Sequence, residues 1–316
     1  MSLAAARWAD AAWPSMHPMS DSTLARLPDP IVATAADLPT AIAMAIAEPA
    51  PGTRLVVEAA GIPFSVLAWG DPDARPLVLI HGVTASAAIW WRVGPALAAT
   101  GRRVLAADLP GHGRTGHWTG RHRFPDMATD VAAWIRAAGV DRPDLQVIGH
   151  SYGAMIAAHL PAAGVRPATL VLLDPPVLPH ALMARQVEDT TERAYDDLDE
   201  AIADVTASEP TWSPGDVRAK AEALTEIDET AARAVLLENG DWDGGLSGLA
   251  DPAAAGLDIW LVKGEQATGS YLPDAAVPAF VARLGADRVL TIKHGAHSPQ
   301  RMRVEATLVA FLRALG

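Results

Sequence analysis

The 316-residue chain has no cysteine, which excludes disulfides, thiolate nucleophiles and Cys-based zinc or iron-sulfur sites. Its stability must come from packing. It also lacks a basic surplus: 25 Lys and Arg face 37 Asp and Glu for a net charge of −12, so a phosphate backbone would find no counter-charge, and nucleic acid is not an expected partner. Long apolar runs are missing too. Ile31 to Ala47 is broken by Asp37 and Pro39 and falls short of the roughly 20 residues that span a bilayer. Arg7, Asp10 and Pro14 interrupt the N-terminal alanines, leaving no secretory h-region. The expectation is a cytoplasmic protein without a membrane partner. No repeat of fixed period occurs, which excludes solenoids. What is present is a composition 50% hydrophobic and 20% charged, ordinary for a packed globular chain. The length allows one large core with an insertion, or two modest domains.

The charge is unevenly spread. Residues 176–250 hold 17 acids and 5 bases, so the remaining chain is neutral. Within that segment, Glu188 to Ala207 and Val217 to Leu237 carry apolar residues at helical spacing with acids on the other faces. A solvated helical surface explains the acids; an acidic rim discouraging anionic substrates is the sharper alternative.

On either side the period changes. Leu55 to Val57 and Phe64 to Trp69 flank a Gly61-Ile62-Pro63 turn. They are followed by four apolar runs, Leu77 to Ile80, Arg103 to Ala107, Leu145 to Ile148 and Thr169 to Leu173, which predict buried strands. Helical stretches at Trp90 to Ala99, Met127 to Ala138 and Ala154 to Ala162 alternate with them, the pattern of a parallel sheet with crossovers. After the acidic segment come strands at Ile259 to Val262 and Arg288 to Ile292, and an amphipathic helix from Val304 to Leu315. The reading is an α/β core over 53–175 and 251–316, interrupted after the sixth strand by an acidic helical cap at 176–250. An N-terminal extension, 1–52, precedes it, and its prolines forbid a long helix.

In an open α/β sheet, ligands bind beyond the carboxyl ends of the strands. The strongest motif there is Gly149-His150-Ser151-Tyr152-Gly153, between a strand and a helix, which is the context a G-x-S-x-G nucleophile elbow requires. A serine hydroxyl needs a base within hydrogen-bond reach, itself oriented by a third group. His297, in Gly295-Ala296-His297 after the last strand, is the expected base, and His294 is its decoy.

Together with His81-Gly82 after one strand and Asp108-Leu109-Pro110-Gly111-His112-Gly113 after the next, these motifs resemble the α/β-hydrolase superfamily. The resemblance implies a mostly parallel sheet with helices on both faces, and an oxyanion hole formed by the backbone N–H groups of Val83 and Tyr152. The chain departs from the commonest pattern at the acid. Many members carry Gly-Asp-x-Asp after the penultimate strand, whereas here Gly264-Glu265-Gln266-Ala267 places alanine at the expected position. Asp174, at the end of the sixth strand, and Glu265 are the two candidates; Asp274 reads as a helix cap.

Relatives that open epoxides or displace halide attack with aspartate at the elbow, so serine at position 151 points instead to acyl transfer to water. The expected substrate is a small hydrophobic ester or lactone, with no cofactor and no metal. Carbon-carbon bond hydrolysis on the same residues, a ligand receptor and a cofactor-free oxygenase remain as alternatives. Trp90, Trp91, Trp212 and Trp242 are the expected pocket aromatics, and Arg114 is either a carboxylate contact or a surface ion pair. The side chains of His150 and Tyr152 are assigned no chemistry. The assembly is expected to be a monomer or homodimer.

Overall fold

Leu77-Val78-Leu79-Ile80 and Thr169-Leu170-Val171-Leu172-Leu173 have no polar face because the strands they form are covered on both sides. Leu77, Leu79, Ile148, Val171 and Val262 point into one buried cluster, while Val78, Ile80, Val147, Leu172 and Leu261 point into another. The period of two along each strand thus divides a single apolar sequence between two cores. The structure, a computed structural model, describes residues 27–116, 120–188 and 193–316.

Eight strands form one sheet. They are β1 Thr53–Ala59, β2 Ile62–Trp69, β3 Arg75–Ile80, β4 Arg102–Ala107, β5 Gln146–His150, β6 Thr169–Leu173, β9 Asp258–Lys263 and β10 Val289–Thr291. Their order across the sheet is β1-β2-β4-β3-β5-β6-β9-β10. The pairs β1·β2 and β2·β4 are antiparallel, and the pairings from β4 to β10 are parallel. Two-residue strands β7, Val177–Leu178, and β8, Trp242–Asp243, pair separately at the two ends of the inserted segment.

Helices α1 (Thr40–Ala47) and α2 (Val93–Ala98), with the C-terminal helix Val304–Leu315, cover one face through Ile42, Leu97 and Phe311. Helices α3 (Phe124–Ala137) and α4 (Tyr152–His159) cover the other through Trp134 and Ile156. Burying each such large side chain stabilises by about 1.5–3 kcal/mol.

Between β6 and β9 run α5 (His180–Glu188), α6 (Leu198–Ser208), α7 (Pro214–Thr225) and α8 (Glu229–Glu238). Helices α6 and α7 share a small core of their own around Ala201, Val205, Val217 and Leu224. Two helix expectations need correction here. The first helix begins at Leu198, where the Asp197 side chain accepts the Glu200 N–H, and the preceding residues 189–192 lie outside the described ones. The stretch Val217 to Leu237 is two helices, because the Asp228 carboxylate caps Thr230 and Ala231 and restarts the chain after Thr225. Asp228 N also donates to Gly111 O at 2.8 Å, fastening that break to the core.

Of the N-terminal extension, residues 1–26 lie outside the described ones. Ile31 forms a parallel bridge with Ile292, its N–H donating to Thr291 O at 2.7 Å and its carbonyl accepting from Lys293 N at 2.9 Å. The extension therefore satisfies part of the β10 edge, which an open sheet leaves unpaired. The proline spacing limits α1 to eight residues.

Candidate active site

The elbow forms for steric reasons. Ser151 has φ 55 and ψ −121, a left-handed conformation that costs an L-residue about 1–3 kcal/mol, and the surrounding contacts hold it there. A Cβ on Gly149 would lie 2.2 Å from Gly153 O, and one on Gly153 would lie 2.3 Å from Ile80 O. Both positions must be glycine for α4 to seat against β3. Ser151 N donates to Leu173 O at 3.0 Å, so the end of β6 fixes the start of the turn.

The Ser151 hydroxyl donates to His297 Nε2 at 2.9 Å, and His297 Nδ1–H donates to Asp174 Oδ2 at 2.8 Å. Asp174 also has a left-handed φ of 42 and is fully buried. Its Oδ1 accepts from Gly264 N at 2.9 Å and Ser270 Oγ at 2.5 Å, and its Oδ2 also accepts from Tyr271 N at 3.0 Å. Burial alone would raise its pKa. The hydrogen bonds from His297, Ser270 and Gly264 outweigh it and hold the carboxyl below the usual range. The imidazole is thereby fixed with its proton on Nδ1 and a lone pair towards the serine. Tyr271 stacks on it at 3.9 Å between ring centroids.

Of the two candidate acids, Asp174 reaches His297 and Glu265 does not. Glu265 accepts from His294 N at 2.9 Å and pairs with Lys293 at 3.0 Å, which turns its carboxylate away from the imidazole. Gly264 is in Cβ-excluding contact with the carbonyls of Gly295 and Ala296, so this loop supports both Asp174 and the His297 turn. Asp274 is not a helix cap. It ion-pairs with the buried Lys263 at 2.7 Å, and the following turn begins after Pro273.

Sequence reasoning misses two supports of the site. Ser270 and Tyr271 sit in a loop with no motif to mark them. His150 lies inside the elbow motif, which singles out only its serine and glycines, yet its Nε2–H donates to His297 O at 2.8 Å and its ring lies 5.0 Å from that of His297. Burial, then the neighbouring His297 and Arg301, take His150 down to about 3. His81 is likewise held far below its ordinary value by burial and by the neighbouring His112; its Nδ1–H donates to Gly82 O at 2.7 Å, leaving Nε2 to accept Leu109 N–H at 2.9 Å.

These histidines are neutral when folded and take up protons when unfolded. They therefore stabilise the fold fully above about pH 6.5, and that stabilisation is lost as the pH falls below it, each contributing up to about 1.4 kcal/mol per pH unit. The melting temperature should decline from pH 6.5 to 4.5, before most carboxylates protonate. A flat profile over that interval, read by calorimetry, would overturn the assignment of neutral buried histidines.

Ser151 opens onto a cavity of about 990 Å³ whose wall includes Val83, Trp212 and Trp242. Trp90 and Trp91 do not line it, contrary to expectation. Trp90 is fully buried in the sheet core, and Trp91 Nε1 donates to Asp216 Oδ1 at 3.0 Å while its ring packs on Gly215, so it clamps α7 to the core. Tyr152 begins α4 and its hydroxyl donates to His122 O at 3.3 Å. Arg114 pairs with Glu226 on the surface. Among the described residues, no helix is long and apolar enough to cross a membrane.

A mostly parallel sheet whose strand ends carry a serine elbow, a histidine and a buried aspartate defines a hydrolase architecture, and comparison with known proteins agrees on the family. The family model for the alpha/beta hydrolase fold matches residues 75–297; the chain belongs to this family and is a hydrolase of the α/β class. It is 31% identical over 267 residues to the lipase LipV of Mycobacterium tuberculosis, covering 78% of this chain and 96% of that protein. Epoxide hydrolase A of the same organism is 30% identical over 135 residues, 42% of this chain and 41% of its own length. Among solved structures, E-2-(acetamidomethylene)succinate hydrolase superposes with a TM-score of 0.70 at 18% identity, covering 84% of this chain and 99% of its own, a likeness of fold.

Proposed function

We propose that the chain is a serine hydrolase cleaving a small hydrophobic carboxylic ester or lactone through an acyl-enzyme on Ser151. The observation that carries this reading is the continuous hydrogen-bonded line from Ser151 through His297 to Asp174, opening onto a large cavity. Ser151 Oγ attacks the carbonyl carbon while its proton passes to His297 Nε2, and Asp174 stabilises the imidazolium that forms. The backbone N–H groups of Val83 and Tyr152 serve as the oxyanion hole. Gly82 supports this, since a Cβ there would lie 3.1 Å from Ser151 Cβ; the loop passes directly over the nucleophile. On collapse the C–O bond breaks and the alkoxide takes the proton from His297. Water then attacks the acyl-enzyme by the same route, releasing the acid and restoring the Ser151 hydroxyl. The inserted segment 176–250 acts as a cap whose Trp212 and Trp242 face the substrate. Serine at position 151 favours this reading over epoxide opening.

A fluorophosphonate should label the wild type one-to-one, read by intact mass, and fail to label Ser151→Ala. Turnover of p-nitrophenyl acetate or butyrate should fall by at least about 10⁴-fold in that variant. Absence of both labelling and turnover in the wild type would overturn the proposal.

A further inference from the structure

The two hydrogen bonds of His297 do not by themselves hold its ring. Nε2 accepts from Ser151 Oγ and Nδ1–H donates to Asp174 Oδ2, so the bonds leave the imidazole at its two ends. They fix the axis from nucleophile to acid, but rocking of the ring about that axis leaves both nearly unchanged. A contact on the face of the ring opposes it. Tyr271 supplies that contact, with ring centroids 3.9 Å apart and planes inclined by 19°. The His150 ring, 5.0 Å away and tilted by 39°, gives no face-to-face contact.

The loop after β9 sets Tyr271 against the imidazole and is itself held along its length. The Tyr271 N–H donates at 3.0 Å to Asp174 Oδ2, the oxygen that also accepts from His297, and its carbonyl accepts from Val177 N at 2.9 Å. Both chain neighbours are buried: Ser270 donates to Asp174 Oδ1, and Leu272 packs into the core. The Lys263–Asp274 ion pair closes the loop, and Gln266 Oε1 accepts from Asp274 N at 2.8 Å. Gly264, Ser270 and Tyr271 thus give the acid three of its four donors, while the same loop covers the base. The contact also has a sign. During turnover His297 passes from imidazole to imidazolium, and the face of a phenol ring carries the negative part of its quadrupole. The attraction is stronger for the cation, so it favours the transition state over the ground state and acts on kcat.

We propose that Tyr271 is a positioning residue: its ring face holds the His297 imidazole in line and stabilises the imidazolium formed in both halves of the reaction. This deepens the serine-hydrolase reading and rests on it. Tyr271→Phe keeps the face, whereas Tyr271→Leu removes it and leaves the backbone N–H to Asp174. With p-nitrophenyl butyrate and the full chain, kcat should stay within about threefold of wild type in Tyr271→Phe and fall about tenfold in Tyr271→Leu, with KM little changed in either. Fluorophosphonate labelling run to completion counts working sites, so that kcat refers to folded enzyme. The low-field proton resonance of His297 Nδ1–H should persist in Tyr271→Phe and broaden in Tyr271→Leu, as the ring rocks and the bond to Asp174 opens to water.

A series of fluorinated phenylalanines in place of Tyr271 separates the charge of the face from its packing. Each fluorine weakens the negative face while the ring stays in place, so kcat should fall stepwise along the series. A constant kcat along it, in protein that labels fully, would overturn the inference and leave the serine hydrolase intact. A wild type that neither labels nor hydrolyses the ester would overturn the serine-hydrolase reading, and this inference with it.

Discussion

Asp174→Asn should lower kcat by about 10⁴-fold with little change in KM, as loss of an orienting acid does in serine enzymes. The reason is the way the carboxylate is used. Its two oxygens face four donors, Gly264 N and Ser270 Oγ on one side, Tyr271 N and His297 Nδ1 on the other. Either orientation of an asparagine amide sets its NH₂ group against a backbone N–H. With the NH₂ towards His297, the imidazole is driven to the tautomer that carries its proton on Nε2, and it can no longer accept from Ser151. Glu265→Gln, by contrast, should leave kcat within about threefold, since Glu265 contacts Lys293 and His294. Steady-state kinetics on the two variants side by side decides the matter; the opposite ranking would remove Asp174 from the proposed relay. Fluorophosphonate labelling of Asp174→Asn should slow in parallel with turnover, because both reactions need the same deprotonation.

Gly153→Ala should cost more than about 4 kcal/mol and leave little folded protein. The added Cβ would lie 2.3 Å from Ile80 O and 2.6 Å from His81 O. These are backbone atoms at the end of β3, held between β4 and β5, so they cannot rotate away as a side chain would. Relief would require α4 to lift off the sheet, unburying Met155 and Ile156. Gly139→Ala is the informative comparison. That glycine has φ 71 but nothing within 4 Å of an added Cβ, so its substitution should cost only the left-handed penalty of about 1–2 kcal/mol. Denaturant unfolding of both variants separates close approach from backbone conformation, and equal losses would show that the elbow tolerates displacement.

The glycines explain why the elbow is legible in the amino-acid sequence. A sharp strand-to-helix turn in tight contact with a neighbouring strand admits few residue types, so its sequence is nearly a description of its geometry. The parallel strands are legible for a similar reason: burial on both faces demands uninterrupted aliphatic runs. Each expected strand is present; Thr169 to Leu173 keeps its bounds, and the others differ by a few residues at their ends. The break at Asp228 is less visible, since helical periodicity continues across it and only a cap and a tether to Gly111 interrupt the chain.

The sequence by itself determined the layered α/β order and the position of the serine turn, because each follows from local sterics or hydrophobic period; the two carboxylates that could accompany His297 follow from the family resemblance. Only the tertiary structure shows which of Asp174 and Glu265 contacts His297. That choice depends on which carboxylate the loops after β6, β9 and β10 turn towards the imidazole, and the answer lies in hydrogen bonds between residues about a hundred positions apart. The same holds for the tryptophans. Trp90 and Trp212 are equally aromatic in sequence, but one fills the sheet core while the other meets Arg301 on the cavity wall.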